Sequence, residues 1–483
     1  MKKEDLFEAL EDLDPGSVEK AREYRGHSRP RWVIWAAAAA CAAILIGAIR
    51  GLPAIRNGGR TGLNAAYPSG VTAVLAAYPA PIAQSLSAEA FVKSDESRDW
   101  WRAYRKTASE TSDLQTGMEA YTAALMSRLL VSEEENRVCS PLSTYIAFAM
   151  LAEATEGNTR RQILDALEAA DLDTLRENVN ALWKSNYADT PILKSLLANS
   201  IWLNSDVEYN EDTLNRLAEE YHVSSFSGVP GSTEMDEALR TWTDANTGGL
   251  LRDYTEKMFL HPDTVLEILS TVYFKAMWQK DFREADTAQG TFHGAAGDTT
   301  VEMMHRRDVL GVYRTERFTA LGLALNYNGS LYFLLPNEGT DVNALASDPE
   351  VFKAVRAEVT DENRSSIKVN LTIPKFRVSG KTDLLETVGA LGMTDVLDPA
   401  LADFSPLTAD LDELYLNKAE HAAMLEIDEH GVTGAAYTEL GVVYGAEMPP
   451  EEELDFAVDR PFLFILTARD GSILFAGIVR NID

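Results

Sequence analysis

The chain has 483 residues, enough for one large domain with appendages or for two to four smaller ones. Lys plus Arg number 44 against 75 Asp plus Glu, a net charge of −31, which argues against nucleic-acid binding and against adsorption to anionic membrane surfaces. Two cysteines, Cys41 and Cys139, make neither a disulfide scaffold nor a Cys-rich zinc module, and a 46% hydrophobic share is incompatible with disorder throughout.

In chain order, residues 1–31 read as a tail, with Leu6, Phe7, Leu10 and Leu13 at near-helical spacing until Pro15 and Gly16 stop the pattern. Trp32 to Ile49 is an unbroken apolar run, close to the length that spans a bilayer core as a helix. It lies too far from the start, with flanking charges too nearly balanced, for a signal peptide. Residues 32–50 are therefore expected to be an uncleaved transmembrane helix. Lys20, Arg22, Arg25, Arg29 and Arg31 close before the run, against Arg50, Arg56 and Arg60 after it, favour a cytoplasmic N-terminus with the rest outside. Residues 51–111 read as a flexible linker, because Gly58, Gly59, Pro68, Gly70, Pro79 and Pro81 break any periodicity.

A folded domain is expected over 112–483. Tyr121 to Leu130 and Leu142 to Ala154 have helical patterns, the second opened by Ser140-Pro141. The segments Leu196–Leu203, Val265–Phe274, Leu321–Leu335, Ile367–Val378 and the last thirty residues are β-rich. Helices mostly precede strands without βαβ alternation, so the class is α+β.

Enzymatic signals are missing. The sequence holds no G-x-G-x-x-G, no P-loop, no G-x-S-x-G elbow and no H-E-x-x-H. Its seven histidines show no metal-ligand spacing. No cofactor and no metal are expected, and a catalytic role has no residues to carry it.

Met424 to Leu440, MLEIDEHGVTGAAYTEL, is different. A strand-like start ends at Asp428-Glu429-His430-Gly431, and a run of small residues follows. Read as a strand, Val432, Gly434, Ala436 and Thr438 share one face, small enough to enter a tight gap between strands. Thr433, Ala435, Tyr437 and Glu439 share the other, expected to stay exposed. The plain alternative is a small-residue loop.

Here the sequence resembles the serpin family, in a bacterial type with an N-terminal membrane anchor. The motifs fall in the family's order: NRVCSPLS from Asn136, ATEGNTRRQI from Ala154, Thr241-Trp242 with NTGGL from Asn246, VYFKAMW from Val272, Phe292-His293, VEMM from Val301, IPKF from Ile373, Leu391-Gly392-Met393, ADFS from Ala402, PFLF from Pro461 and GSILFAG from Gly471. The resemblance implies three β-sheets, about eight to nine helices and an exposed reactive-centre loop. It implies a protease inhibitor rather than an enzyme. A serine protease cleaves the loop, is held as an acyl-enzyme, and is trapped when the loop inserts into the central sheet. Carried over, the hinge comprises Glu429, Gly431, Val432, Thr433, Gly434, Ala435, Ala436, Tyr437 and Thr438. The shutter and breach comprise Ser140, Ser143, Ser270, His421, Trp278 and Lys375, with Lys375 the ion-pair partner of Glu429. The spacing sets the reactive bond between Gly445 and Ala446. Ser270 stands where the family usually has asparagine. His430 and Val432 also depart from its pattern, and Tyr437 and Glu439 interrupt its alanine run.

Small residues at the bond fit an elastase- or subtilisin-like target, a bond after Tyr444 would fit a chymotrypsin-like one, and the lack of Lys or Arg between Gly431 and Asp459 disfavours a trypsin-like one. The expected partners are a target serine protease, held covalently, and the membrane, for a monomer at the cell membrane with its inhibitor domain outside. The alternatives are a non-inhibitory binding module on the same fold, supported by the bulk of Tyr437, and a membrane-anchored hydrolase or sensor, which the missing catalytic motifs oppose.

Overall fold

The computed structural model describes residues 67–482, apart from 77, 80, 84, 327, 357–363, 412 and 433–451. Two sheets form the domain. The first contains β1 (Thr72–Val74), β3 (Ala188–Asp189), β4 (Leu193–Asn204), β5 (Val223–Gly228), β6 (Leu266–Met277), β12 (Phe376–Asp383), β13 (Glu420–Ile427) and β14 (Gly431–Val432). Its order is β1-β5-β4-β6-β14-β13-β12, with β3 paired to β4. The second contains β2 (Arg137–Cys139), β7 (Ala288–Gly294), β8 (Gly297–Arg314), β9 (Phe318–Leu325), β10 (Asn328–Pro336), β11 (Arg364–Pro374), β15 (Glu453–Ala457), β16 (Phe462–Thr467) and β17 (Ile473–Val479).

The expected three sheets are thus two hydrogen-bonded networks. The reason is β8, whose 18 residues pair with β11 along most of their length and with β9 at the end, fusing two smaller sheets. Twelve α-helices occur among the described residues, more than the eight or nine expected. Some of the excess is N-terminal, in the stretch read as linker.

Helix Pro141–Glu153 forms the centre of the core. Ser140 caps it, its hydroxyl accepting from the Ser143 N–H at 3.3 Å, and Pro141 takes the first turn, where no N–H is needed. Nearly every side chain of the helix is buried, so it reads as apolar all round. It packs against β6 on one side and β17 on the other.

Within the stretch read as linker, the described residues 67–111 form an ordered strap despite their proline and glycine punctuation. Its β1 extends the edge of the first sheet, antiparallel to β5. Farther along, the Ile82 N–H donates to the Asp189 carbonyl at 2.9 Å. The Tyr78 ring stacks on Trp183 and Tyr187, with centroids 5.9 and 6.0 Å away, and its hydroxyl donates to the His222 carbonyl at 3.3 Å. Helix Asp95–Thr111 follows, capped by Ser94. The guanidinium groups of Arg105 and Arg469 lie 5.6 and 4.7 Å from the Trp101 ring centroid, and the Thr111 hydroxyl donates to buried Asp470 at 3.4 Å. Aromatic anchors, invisible to a periodicity argument, hold a segment whose backbone pattern looks like a linker.

Tyr78→Ala tests the strap. Tyr78 is 4% exposed, and truncating a buried aromatic costs about 3–5 kcal/mol. We expect a loss of that order in urea unfolding of the full chain. A loss below about 1 kcal/mol would mean that the strap adds little to the fold.

Candidate functional site

The site lies where β13 ends and the chain doubles back into its own sheet. The side chain of Asp428 makes the turn: Oδ1 accepts the backbone N–H of His430 at 2.8 Å and of Gly431 at 3.1 Å. Asp428 itself donates to the Gly431 carbonyl at 3.1 Å. This is the local bonding that makes Asp a turn former. The chain then descends as β14 between two strands that do not pair with each other. Gly431 stands opposite Met277, and Val432 opposite Ala276, on β6. On the other side Val432 faces Ile427 of β13. Gly431 has to be glycine here, because a Cβ would collide with the Ala276 carbonyl and lie 2.8 Å from Met277 Cα. Val432 is 2% exposed.

Above this turn, the buried carboxylate of Glu429 accepts from the Thr287 hydroxyl at 2.8 Å and lies 3.4 Å from Lys375 Nζ. Lys375 is also 3.3 Å from Glu302. Burial works to raise the Glu429 pKa, but the Thr287 bond and the Lys375 charge hold it below the usual carboxylate range. Trp278 closes the top: its indole N–H donates to the Asp428 carbonyl at 2.9 Å and its backbone N–H to the His430 carbonyl at 3.0 Å. The His430 ring lies 3.3 Å from Glu284.

Below Val432 no described strand separates β6 from β13, and the two share no ladder. Polar groups of helix Pro141–Glu153 line this slot. The Ser140 N–H donates to His421 Nε2 at 2.9 Å, so that nitrogen carries no proton. The Ser143 hydroxyl donates to the Ser270 carbonyl at 2.9 Å. The Ser270 hydroxyl is buried without a partner. Burial pushes the His421 pKa down to about 4. One cavity in the slot runs from Ser140 and Ser143, beneath the sheet, to Thr247, Leu250 and Leu251 above it. Another of about 80 Å³ reaches Glu267 and Glu420.

The structure thus gathers Ser140, Ser143, Ser270 and His421 at the slot, and Trp278, Lys375, Glu429, Gly431 and Val432 at its top. Thr433 to Thr438 and the Gly445–Ala446 bond lie outside the described residues, as does Trp32–Ile49. No helix among the described residues is long and apolar enough to cross a membrane. Sequence reasoning missed Asp428, Thr287, Glu302 and Phe282, whose N–H donates to the Glu429 carbonyl at 3.0 Å. Asp428 alone had a local signal, the Asp-x-x-Gly spacing of a turn.

The serpin (serine protease inhibitor) family model matches residues 116–482. Alpha-1-antiproteinase 2 of Equus caballus is 30% identical over 361 residues, covering 72% of this chain and 82% of its own. Alpha-1-antiproteinase of Rattus norvegicus is 29% identical over 410 residues, covering 82% and 94%. Among solved structures, the thermophilic serpin tengpin in its native state aligns with a TM-score of 0.67 at 24% identity, covering 76% of this chain and 93% of that one. Human kallistatin aligns at 0.64 and 22% identity, covering 75% and 95%. The chain belongs to the serpin (serine protease inhibitor) family, and the relatives named as antiproteinases are protease inhibitors, not enzymes. The strap, residues 67–111, precedes the matched region.

Proposed function

We propose that this chain inhibits serine proteases as a suicide substrate. The protease cleaves the segment after Val432, forms an acyl-enzyme, and is trapped as that segment inserts between β6 and β13. One observation carries the reading: Gly431 and Val432 already occupy the top of a slot whose two banks, among the described residues, do not otherwise pair with each other or with a strand between them. The inhibitor is then a strained state released by insertion.

Continuing the register of Val432 downward, Gly434, Ala436 and Thr438 face the core with it. Tyr437 and Glu439 fall on the other face. At the depth of Tyr437 that face is covered by Thr247, Leu250 and Leu251 rather than open to water, so the tyrosine ring has to be accommodated beneath them. This favours the second reading, a non-inhibitory binding module, to the extent that the ring obstructs insertion. The proposed bond is Gly445–Ala446, its small residues matched to an elastase- or subtilisin-like enzyme. Trp32–Ile49 is proposed to anchor a monomer in the cell membrane with the inhibitor outside.

The test is incubation of the full chain, in detergent, with elastase, subtilisin, chymotrypsin and trypsin. A covalent complex on a denaturing gel, with a released peptide beginning near Ala446, is the expected result. Cleavage of that segment by elastase, subtilisin or chymotrypsin without a complex would favour the binding module.

A further inference from the structure

We propose that Lys418 staples the lower end of the slot, and that this staple sets how readily β6 and β13 part. The inference rests on the reading that the slot receives a strand. Val432 fixes the level of the two banks, with Ala276 on one side and Ile427 on the other. Nine residues down each bank lie Glu267 and Lys418, about 30 Å below the inserted end at the rise of a strand. There Lys418 Nζ reaches across to Glu267 Oε1 at 3.5 Å. It also lies 3.5 Å from Glu420 on its own bank, and Glu420 is held by Lys381 of β12 at 2.8 Å. Among the described residues this is the ion pair that joins the two banks.

The position makes the pair more than a surface contact. The Glu267 side chain is 12% exposed and that of Lys418 is 35%. A carboxylate so far out of water needs its cation; burial raises the Glu267 pKa, and Lys418 offsets only part of that rise. The Lys418 ammonium also lies 5.9 Å from the Phe259 ring, within cation–π range. The opposite end of the slot is held open by β14, whereas this end is drawn together by charge. A strand filling the whole slot has to separate Lys418 from Glu267.

The experiment is a double-mutant cycle on the full chain with Lys418→Met, Glu267→Gln and both together. The readout is the rate of uptake of a synthetic peptide, residues 432–444, followed as a mobility shift on a native gel. Each single change is expected to speed uptake roughly fivefold, the scale of one partly exposed ion pair. The double variant should be no faster than either single one. Unchanged or slower uptake in the singles, or additive effects in the double, would overturn the staple. A separate measurement guards the underlying reading. Wild-type chain cleaved between 433 and 451 by a glutamyl endopeptidase should gain markedly in thermal midpoint. If it gains nothing, the insertion reading fails, whatever the variants do.

Discussion

Val432→Arg is expected to abolish covalent trapping while leaving the segment after it fully cleavable. Val432 is the first residue to sit between the banks, 2% exposed, flanked by Ala276 and Ile427. A guanidinium there has to leave water, and the positions flanking it in the sheet are apolar. Burying an unpaired charge costs several kcal/mol. Trapping is a race between insertion and hydrolysis of the acyl-enzyme. Each 1.4 kcal/mol added to the insertion barrier slows it about tenfold, so a penalty of this size turns an inhibitor into a substrate. The fold itself has little to lose, because β14 is two residues long. Val432→Thr is the control: similar in volume, it carries a hydroxyl that a neighbouring carbonyl can accept from, and it should keep most of the trapping. Covalent complex formed by the arginine variant at the wild-type ratio would remove Val432 from the hinge.

Much of this site was legible because the motifs that carry it are local. Ser140-Pro141 announces a capped helix, and the helix runs from Pro141 to Glu153. The run from Met424 announces a strand and a turn, and β13 ends at Ile427, ahead of Asp428. The two halves of the slot, 281 residues apart at Ser140 and His421, were joined only through resemblance to a family. Nothing local in either segment points to the other. What stayed hidden was set by tertiary packing. Thr287, Glu302 and Phe282 act through atoms that meet Glu429 and Lys375 only after folding. The strap was hidden because Pro79 and Pro81 mark a chain without regular structure, whereas Tyr78, just before them, holds it by stacking. The fused sheet depends on the length of β8, which short motifs do not measure.

The second large effect is expected from acid. His421 is 6% exposed, and burial holds its pKa near 4. In the unfolded chain its pKa returns to about 6.5. Between these values the unfolded state binds the proton and the native state does not, so stability falls as pH falls from about 6.5 towards 4. At pH 5 the loss from this one histidine is about 2 kcal/mol. His222 adds a similar slope: burial lowers its pKa to about 4, its ring stacks on Trp183 at 3.8 Å, and its Nε2 has no partner. Glu429, with a lowered pKa, loses its contribution only below the ordinary carboxylate range, beneath this window. Glu267, with a raised pKa, works the other way, since burial favours its protonated form. The net expectation is a fall in the urea midpoint from pH 7 to pH 5, with His421→Gln removing roughly half of it. The histidine term is also local to the slot. Where the slot opens far enough to free His421 from the Ser140 N–H, the ring regains its ordinary affinity for a proton, so acid favours the opened β13 bank over the closed one. Uptake of the 432–444 peptide should therefore quicken between pH 7 and pH 5 in the wild type and stay flat in His421→Gln. A wild-type midpoint and uptake rate that hold constant over that range would show that His421 does not lock the slot.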